Sequence, residues 1–398
     1  MTICIVIADM KIKSVFISLF NAYPPTSGAA SVTFNVAKYS NGNRVLLQIG
    51  HEDKNENIDD EFIVVTVKGL DDGKWKKLLG IFGVIKRMTD KVIGFAPEVV
   101  VLEGASWVLY LLLLARYIKK RYPAARIIYH AHNVECVLRK QKHCWPIVMI
   151  TKWAEGWLFR KSDVSTVVSS VDRAQVERLY GVSPKLLPNG VDVSRFDAVT
   201  PAQIDAVRNK YGIDKNTILF MGFYLYKPNM EAIDFLVKDV MPKVISKCPA
   251  TKLVIIGSEI PYHQPWLINP GVIEYDELPA FVMACGIGVA PIFSGSGTRL
   301  KILEYMAASI PVVATTKGAE GLKINRGYDL FIHEGPYDFV KQIANLLSDK
   351  VTSNSIGING YNVVSKYYSW ENIVLNLNKI IDNYLITTID LVRSTKNK

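Results

Sequence analysis

Arg299, Lys301 and Glu304 stand close together directly behind a glycine-rich loop, in the stretch Gly286–Leu322, GIGVAPIFSGSGTRLKILEYMAASIPVVATTKGAEGL. A glycine loop that feeds a helix N-terminus can cradle phosphate, because free backbone N–H groups and the helix dipole both favour an anion there. Arg299 and Lys301 add positive charge. Glu304 falls about one and a half turns along the helix, where a carboxylate can accept two sugar hydroxyls. These residue types suit a sugar joined to a diphosphate. A glycine loop before a helix also occurs for packing reasons alone, and that plainer reading stands beside the chemical one.

Four further constellations carry chemistry. Glu103 ends the apolar run VVVLEGAS, so its carboxylate sits where a strand C-terminus meets a cleft and can do acid–base or electrostatic work. His130-Ala131-His132-Asn133-Val134-Glu135 follows another apolar run. Two histidines two apart at a strand end are read as pointing in opposite directions, with no third ligand evident, so no metal is expected. The structural alternative is a buried His130 with Asn133 as a helix cap. MGFYLYKPN, Met221–Asn229, offers Gly222 for close backbone approach and Lys227 as a point charge for phosphate; a solvated lysine is the alternative. PPTSGAA, Pro24–Ala30, is a strand–helix loop in which Gly28 permits close approach and Ser27 can cap.

The elements that must position these residues alternate. Strands are expected at Ser14–Phe20, Arg44–Ile49, Glu61–Val67, Val99–Glu103, Arg126–His130 and Val164–Ser169. Helices are expected near residues 30–39, at Lys74–Lys91 and Ser106–Tyr122, across Val134–Lys161, and at Ser170–Tyr180 capped by Ser170 or Asp172. The second half repeats the pattern. Its strands are Thr217–Gly222, Lys252–Gly257, Gly271–Ile273, GIGVAPI and PVVAT. Its helices are Asn229–Lys247, Leu278–Cys285, LKILEYMAA, Tyr337–Ser348, Ser355–Tyr368 and Trp370–Leu385. Two such runs predict an α/β chain with two doubly wound parallel-sheet, Rossmann-like domains, which bind ligands beyond the strand C-termini. At 398 residues the length suits two domains.

Composition narrows the class. Hydrophobic content is 49% against 21% charged, that of a globular protein with ample core. Five cysteines are scattered without ligand spacing, so reduced thiols and a cytoplasmic setting are expected. No stretch reaches the roughly 18–20 apolar residues of a bilayer span. The charge is uneven: 26 basic against 17 acidic residues to Lys185, and 21 against 20 beyond. Two clusters, KWKKLLGIFGVIKRMTDK (Lys74–Lys91) and RKQKHCWPIVMITKWAEGWLFRK (Arg139–Lys161), interleave basic residues with Trp and aliphatics. They read as solvated faces or as a surface for an anionic membrane, with peripheral attachment to its inner face. No nucleic-acid motif accompanies the charge, so nucleic acid is not an expected partner.

The full glycine-loop string resembles the donor-site segment of retaining glycosyltransferases of the two-domain GT-B fold, in family 4, which includes sucrose synthase-like and mannosyl transferases. Five other stretches resemble the same family: LPNGVDVSRF (Leu187–Phe196), GAEGL (Gly318–Leu322), the MGFYLYKPN loop (Met221–Asn229), the PPTSGAA loop and the HNVE string. The likeness covers about Lys11 to Leu385. The family's usual pair of glutamates eight apart is broken: the second falls on Glu304, the first on Ser296. The resemblance implies transfer of a sugar from a nucleotide-sugar donor, a UDP- or GDP-sugar, to an acceptor hydroxyl of a glycan or lipid-linked molecule. It implies retention at the anomeric carbon, no prosthetic group and no metal.

Residue by residue, it implies donor binding by Gly28, Gly222, Lys227, Gly295, Ser296, Gly297, Thr298, Arg299, Leu300, Lys301, Glu304 and Glu320. It implies an acceptor side at His132, Asn133 and Glu135, and catalytic work by Glu103, His132 and Glu304. The expected domains are 1–187 for the acceptor side and 188–369 for the donor, with helix 370–385 packing back on the first. Two alternatives remain open. One is a non-catalytic scaffold of this fold that binds membrane or a partner. The other is a nucleotide-sugar epimerase that turns over without an acceptor.

Overall fold

The computed structural model describes residues 12–69, 74–104, 107–140, 143–295 and 300–396, with side chains described throughout these ranges except at 74–79, 383 and 385–396. The chain forms two compact units. One is Met1–Pro188 with Ile373–Lys398, the other Asn189–Asn372.

The first unit holds eight strands: β1 Lys13–Ile17, β2 Asn43–Gly50, β3 Lys54–Asn57, β4 Phe62–Lys68, β5 Val99–Gly104, β6 Arg126–Ala131, β7 Val164–Val167 and β8 Lys185–Leu186. Their order across the sheet is β3-β4-β2-β1-β5-β6-β7-β8. All pairs are parallel except β3 with β4. The helices are α1 Gly28–Tyr39, α2 Lys74–Phe95, α3 Val108–Arg121, α4 Glu135–Lys140, α5 Trp145–Lys161 and α6 Ser170–Tyr180. Strand residues buried on both faces, such as VFI in β1 and VVVL in β5, explain the unbroken apolar runs in the sequence. Val15, Ile17, Val100, Leu102, Ile127 and Tyr129 pack on one face against Met88, Leu111, Ala115 and Leu158 from the helices.

The second unit has strands β9 Thr217–Met221, β10 Lys252–Ile256, β11 Leu267–Gly271, β12 Ile287–Ala290, β13 Val312–Ala314 and β14 Phe331–Ile332, in the order β11-β10-β9-β12-β13-β14. Its helices are α7 Val193–Asp197, α8 Pro201–Tyr211, α9 Lys227–Phe235, α10 Met241–Lys247, α11 Leu278–Ala284, α12 Leu300–Ala307, α13 Pro336–Ser348 and α14 Lys350–Tyr367. A last helix, α15 Trp370–Lys396, begins here, and its remainder belongs to the first unit. There Asn378 Oδ1 accepts from the Asn41 N–H, and Tyr384 donates to Asp163 at 3.0 Å.

Several expectations are corrected. The polar strand β3, which carries no apolar run, and the two-residue strand β14 were not anticipated, nor were α7 and α8. The strand expected at Gly271–Ile273 lies earlier, at Leu267–Gly271. The helices expected across 134–161 are α4 and α5, while the continuous helix expected over 229–247 passes through a π-helical turn at Leu236–Val240. The cap of α6 is Ser169, which accepts from the Asp172 N–H at 3.0 Å, because its extended backbone lets the hydroxyl reach back. Ser27 caps α1 as expected, accepting from Ala30.

Candidate functional site

The parallel strands of each sheet switch direction of succession at one point, between β1 and β5 and between β9 and β12. In doubly wound sheets ligands bind outside the strand C-termini at that point. Most of the expected site residues lie there in their own unit.

In the first unit the register sets the site. β5 and β6 pair so that Glu103 stands opposite His130. Residues two apart along a strand share a face, so His132 turns to the same side as His130. The expectation that the two rings diverge is therefore wrong, as is the expectation of no third ligand-type residue beside them. His130 Nδ1 lies 3.1 Å and His132 Nε2 2.6 Å from the same carboxylate oxygen, Glu103 Oε2. All three side chains are almost fully buried.

Burial pulls the Glu103 carboxyl upward, but the charge and hydrogen bond of His130, and then of His132, outweigh it and hold the carboxyl down at about 2. It is thus an acceptor, and both imidazoles present N–H to it. Burial pushes His132 below its ordinary value, against the pull of Glu103, so its neutral form prevails at neutral pH. Its Nδ1 then carries a lone pair, and that atom is buried with no partner among the described residues; His130 Nε2 and Glu103 Oε1 are in the same state. A buried carboxylate that fixes an imidazole tautomer is the arrangement of a general base. The three residues also bring three ligand-type atoms within 4.8 Å, one short of a tetrahedral set.

Two loops flank this cluster. The loop after β1 is held by the buried Gln48, whose Oε1 accepts from the N–H groups of Ala22 and Tyr23, each at 2.8 Å, while its Nε2 donates to Tyr23 O. Gly28 is exposed at the first turn of α1. In the loop after β6, Asn133 is half-buried, and Glu135 is buried and paired with Arg139 at 3.5 Å.

In the second unit, α12 is seated by Tyr305. Its hydroxyl accepts from the Met221 N–H at 2.9 Å, and its ring fills the space where a Cβ on Gly288 would stand, 2.4 Å away. Lys301, four residues before Tyr305 and three before Glu304, neighbours both on the helix surface. Lys301 donates to Asn229 Oδ1 at 3.0 Å and lies 4.0 Å from the centre of the Phe220 ring. Asn229 donates in turn to Phe223 O, and a side chain on Gly222 would stand 2.7 Å from its amide.

Burial pushes the Glu304 carboxyl up to about 7, with Arg195 and then Lys301 pulling it back. Arg195 lies over the Tyr275 ring, 3.5 Å from its centre, and donates to the Tyr275 carbonyl. Lys227 is exposed at the start of α9, 3.7 Å from Glu231. Glu320 pairs with Lys317 at 2.5 Å in the turn after β13. Gly295 adopts a left-handed φ of 93° and Leu300 opens α12; Ser296, Gly297, Thr298 and Arg299 lie outside the described residues.

Several participants were not singled out from sequence. His130 was read as structural, Asn229 and Arg195 only as members of quoted motifs, and Gln48 not at all. Asn229, in a PN dipeptide at a helix start, and Arg195, in LPNGVDVSRF, carried a local signal.

Residues 26–195 match the family described as Glycosyltransferase Family 4, and residues 215–349 match Glycosyl transferases group 1. The chain is 26% identical over 230 residues to a GDP-mannose-dependent monoacylated alpha-(1-6)-phosphatidylinositol monomannoside mannosyltransferase of Corynebacterium glutamicum, a match that covers 52% of this chain and 59% of that one. The chain thus spans about three fifths of that relative's length. Among solved structures it resembles sucrose-phosphate synthase from Thermosynechococcus elongatus, with TM-score 0.75 and 13% identity over 95% of this chain and 100% of that one. It also resembles Anabaena HepE in complex with UDP-glucose, with TM-score 0.66 and 14% identity over 94% and 100% of the two chains.

Proposed function

The chain is a family 4-like glycosyltransferase of the GT-B fold, and from that premise we propose that it moves a sugar, with retention, from a UDP- or GDP-sugar to a hydroxyl of a glycan or lipid-linked acceptor. The observation that carries this reading is the pairing of Lys301 with Glu304 on one face of α12, beyond β9 and β12. A cation there suits a diphosphate and a carboxylate suits sugar hydroxyls, one helical turn apart. The N–H groups of Gly295–Thr298 and the Arg299 guanidinium join Lys301 in stabilising the leaving diphosphate, with no metal required. Residues 188–369 serve the donor and residues 1–187 the acceptor.

On the acceptor side, His132 offers its Nδ1 lone pair to a substrate hydroxyl, and Glu103 holds the tautomer and stabilises the imidazolium if the proton arrives. Asn133 and Glu135 shape the acceptor pocket. Gly28 lets the first loop approach the donor phosphates, and Lys227 and Glu320 border the nucleotide. The membrane arm of the proposal is supported by α5. Trp145, Met149, Ile150 and Trp153 are exposed along one side of it, with Lys152, Arg160 and Lys161 alongside. Trp at an interface with adjacent basic charge favours an anionic leaflet. No helix among the described residues is long and apolar enough to cross a membrane.

The test is a thermal-shift screen of nucleoside mono- and diphosphates, followed by turnover of the matching sugar nucleotides with and without EDTA and by assignment of the product anomer by NMR. A ligand bound only by the native state raises apparent stability. Stabilisation by UDP or GDP and an α-product from an α-donor are expected. No stabilisation by any nucleoside diphosphate would remove the donor assignment, and turnover abolished by EDTA would remove the metal-independent one.

A further inference from the structure

A buried carboxylate is costly unless donors meet its charge. Glu155 on α5 is 0% exposed, and three donors meet it. The backbone N–H groups of Glu135 and Cys136 donate at 2.7 and 3.1 Å, and the Tyr180 hydroxyl donates at 2.5 Å. The two N–H groups are the first of α4, which a helix ordinarily hands to a Ser, Thr, Asp or Asn just before it. Here the preceding residue is Val134, whose side chain has no acceptor, and no hydrogen bond from the neighbouring Asn133 side chain caps these groups among the described residues. The helix cap expected of Asn133 from sequence is thus supplied from another helix.

We propose that Glu155 is a positioning residue: by capping α4 from α5 it fixes the loop His132–Glu135 beside Glu103 and leaves the Asn133 amide to a substrate. The proposal rests on the reading of this loop as the acceptor side. The groups around the carboxylate fit the role. Tyr180 approaches from α6, Tyr129 from β6, and Cys136 and Glu135 from α4, with Glu135 itself balanced by Arg139. Burial pushes the Glu155 carboxyl up to about 7, and the hydrogen bonds from Tyr180, Cys136 and Glu135 pull it back, so each of these bonds helps tie the loop to α5. The same helix turns its Trp side outward, so whatever seats α5 is linked through one side chain to the loop that carries His132.

The experiment uses the whole chain, with Glu155→Ala, Glu155→Gln and Tyr180→Phe. Hydrogen–deuterium exchange is followed in peptides covering 132–140 and across the rest of the chain. Affinity for UDP and GDP is measured by thermal shift, and hydrolysis of UDP-glucose and GDP-mannose, with water as acceptor, by nucleotide release. Glu155→Ala should speed exchange at 132–140 by tenfold or more while other regions stay within twofold. It should lower kcat for hydrolysis about tenfold and leave the donor KM within twofold. Glu155→Gln, which keeps one oxygen acceptor, should recover part of both, and Tyr180→Phe should sit between Gln and wild type. Unchanged exchange at 132–140, or faster exchange spread evenly through residues 12–188, overturns the proposal. So does a donor KM that rises as much as kcat falls. If the wild type hydrolyses neither sugar nucleotide and binds neither UDP nor GDP, the functional reading fails, and the exchange result alone still decides whether Glu155 positions the loop.

Discussion

The two units share one plan and load it with opposite chemistry. Each has a parallel sheet whose order reverses beside its first strand, and each sets its candidate residues at that reversal. At the first sheet stands a buried carboxylate between two imidazoles. At the second stand Lys301, Asn229 and a carboxylate pushed toward neutrality. The bulk charge runs the other way, for most of the excess of Lys and Arg falls in the first 185 residues. Net charge therefore describes the outer helices of a unit and says little about its site, because screening confines a surface lysine's reach to about 8 Å at physiological salt. What decides the site is which side chains the register delivers to the carboxyl ends.

That contrast can be broken most sharply at His132. His132→Ala should lower kcat by about 10²–10⁴-fold, the usual share of a general acid or base, with UDP or GDP affinity unchanged. A parallel loss of nucleotide affinity would mean the two sites are not chemically separate. Glu304→Ala tests the other side. A hydrogen bond to a charged group contributes about 1.5–3 kcal/mol, so kcat/KM for the sugar nucleotide should fall about tenfold to a hundredfold, while the free nucleoside diphosphate binds nearly as before. An unaltered kcat/KM removes Glu304 from the donor site.

Lys301→Ala should cost less, about tenfold or under, because Asn229 already shares its ammonium. The loss should fall on the diphosphate more than on the free nucleoside, and equal loss for both would place the lysine elsewhere. Charge reversal at Lys74, Lys76 and Lys77 should weaken sedimentation with anionic vesicles by about fivefold per charge at low salt, and Trp145→Ser with Trp153→Ser should weaken it through the lost interfacial anchors. Nucleotide binding should be untouched. Vesicle binding that is absent at low salt leaves α5 a solvated face.

The smallest effect sharpens the contrast through pH. Glu155 and Glu304 are each raised from an ordinary 4.5 to about 7. Between those values the folded chain keeps protons that the unfolded chain has lost, so stability falls as pH rises through this window. Glu103, held at about 2, acts in the other direction: its contribution is full above 4.5 and is lost as pH falls toward 2. Glu155→Gln and Glu304→Gln should each flatten the decline between pH 4.5 and 7 in chemical-denaturation midpoints. Glu103→Gln should instead remove stability at neutral pH. Identical pH profiles for all three would erase the difference in protonation between the sites.

Residues whose role is written in local pattern were legible. The strand–loop–helix around Leu300–Ala307, the Ser27 cap and the alternation of strands and helices all follow from periodicity and capping chemistry over a few residues. What escaped depends on register or on distance along the chain. Nothing near Glu155 announces that it caps a helix twenty positions back, and Gln48 holds a loop 25 or more positions away. The His130–His132 error had a different origin. The strand period of two was available, and its correct use puts both rings on one side. The polar strand β3 was invisible because an edge strand with little buried surface needs no apolar residues.

That edge strand bears on how the protein lives among its own copies. Lys54–Asn57 reads KNEN, is almost entirely exposed, and closes the parallel sheet by running antiparallel to β4. Without it β4, with five apolar residues among its seven, would offer a bare ladder of N–H and C=O groups to any neighbouring chain. A short strand bearing one lysine and one glutamate takes up those groups and presents little for another strand to bury. Deleting or hydrophobically recoding these four positions would leave both candidate sites intact, yet it would turn the chain toward self-assembly, visible as light scattering during refolding.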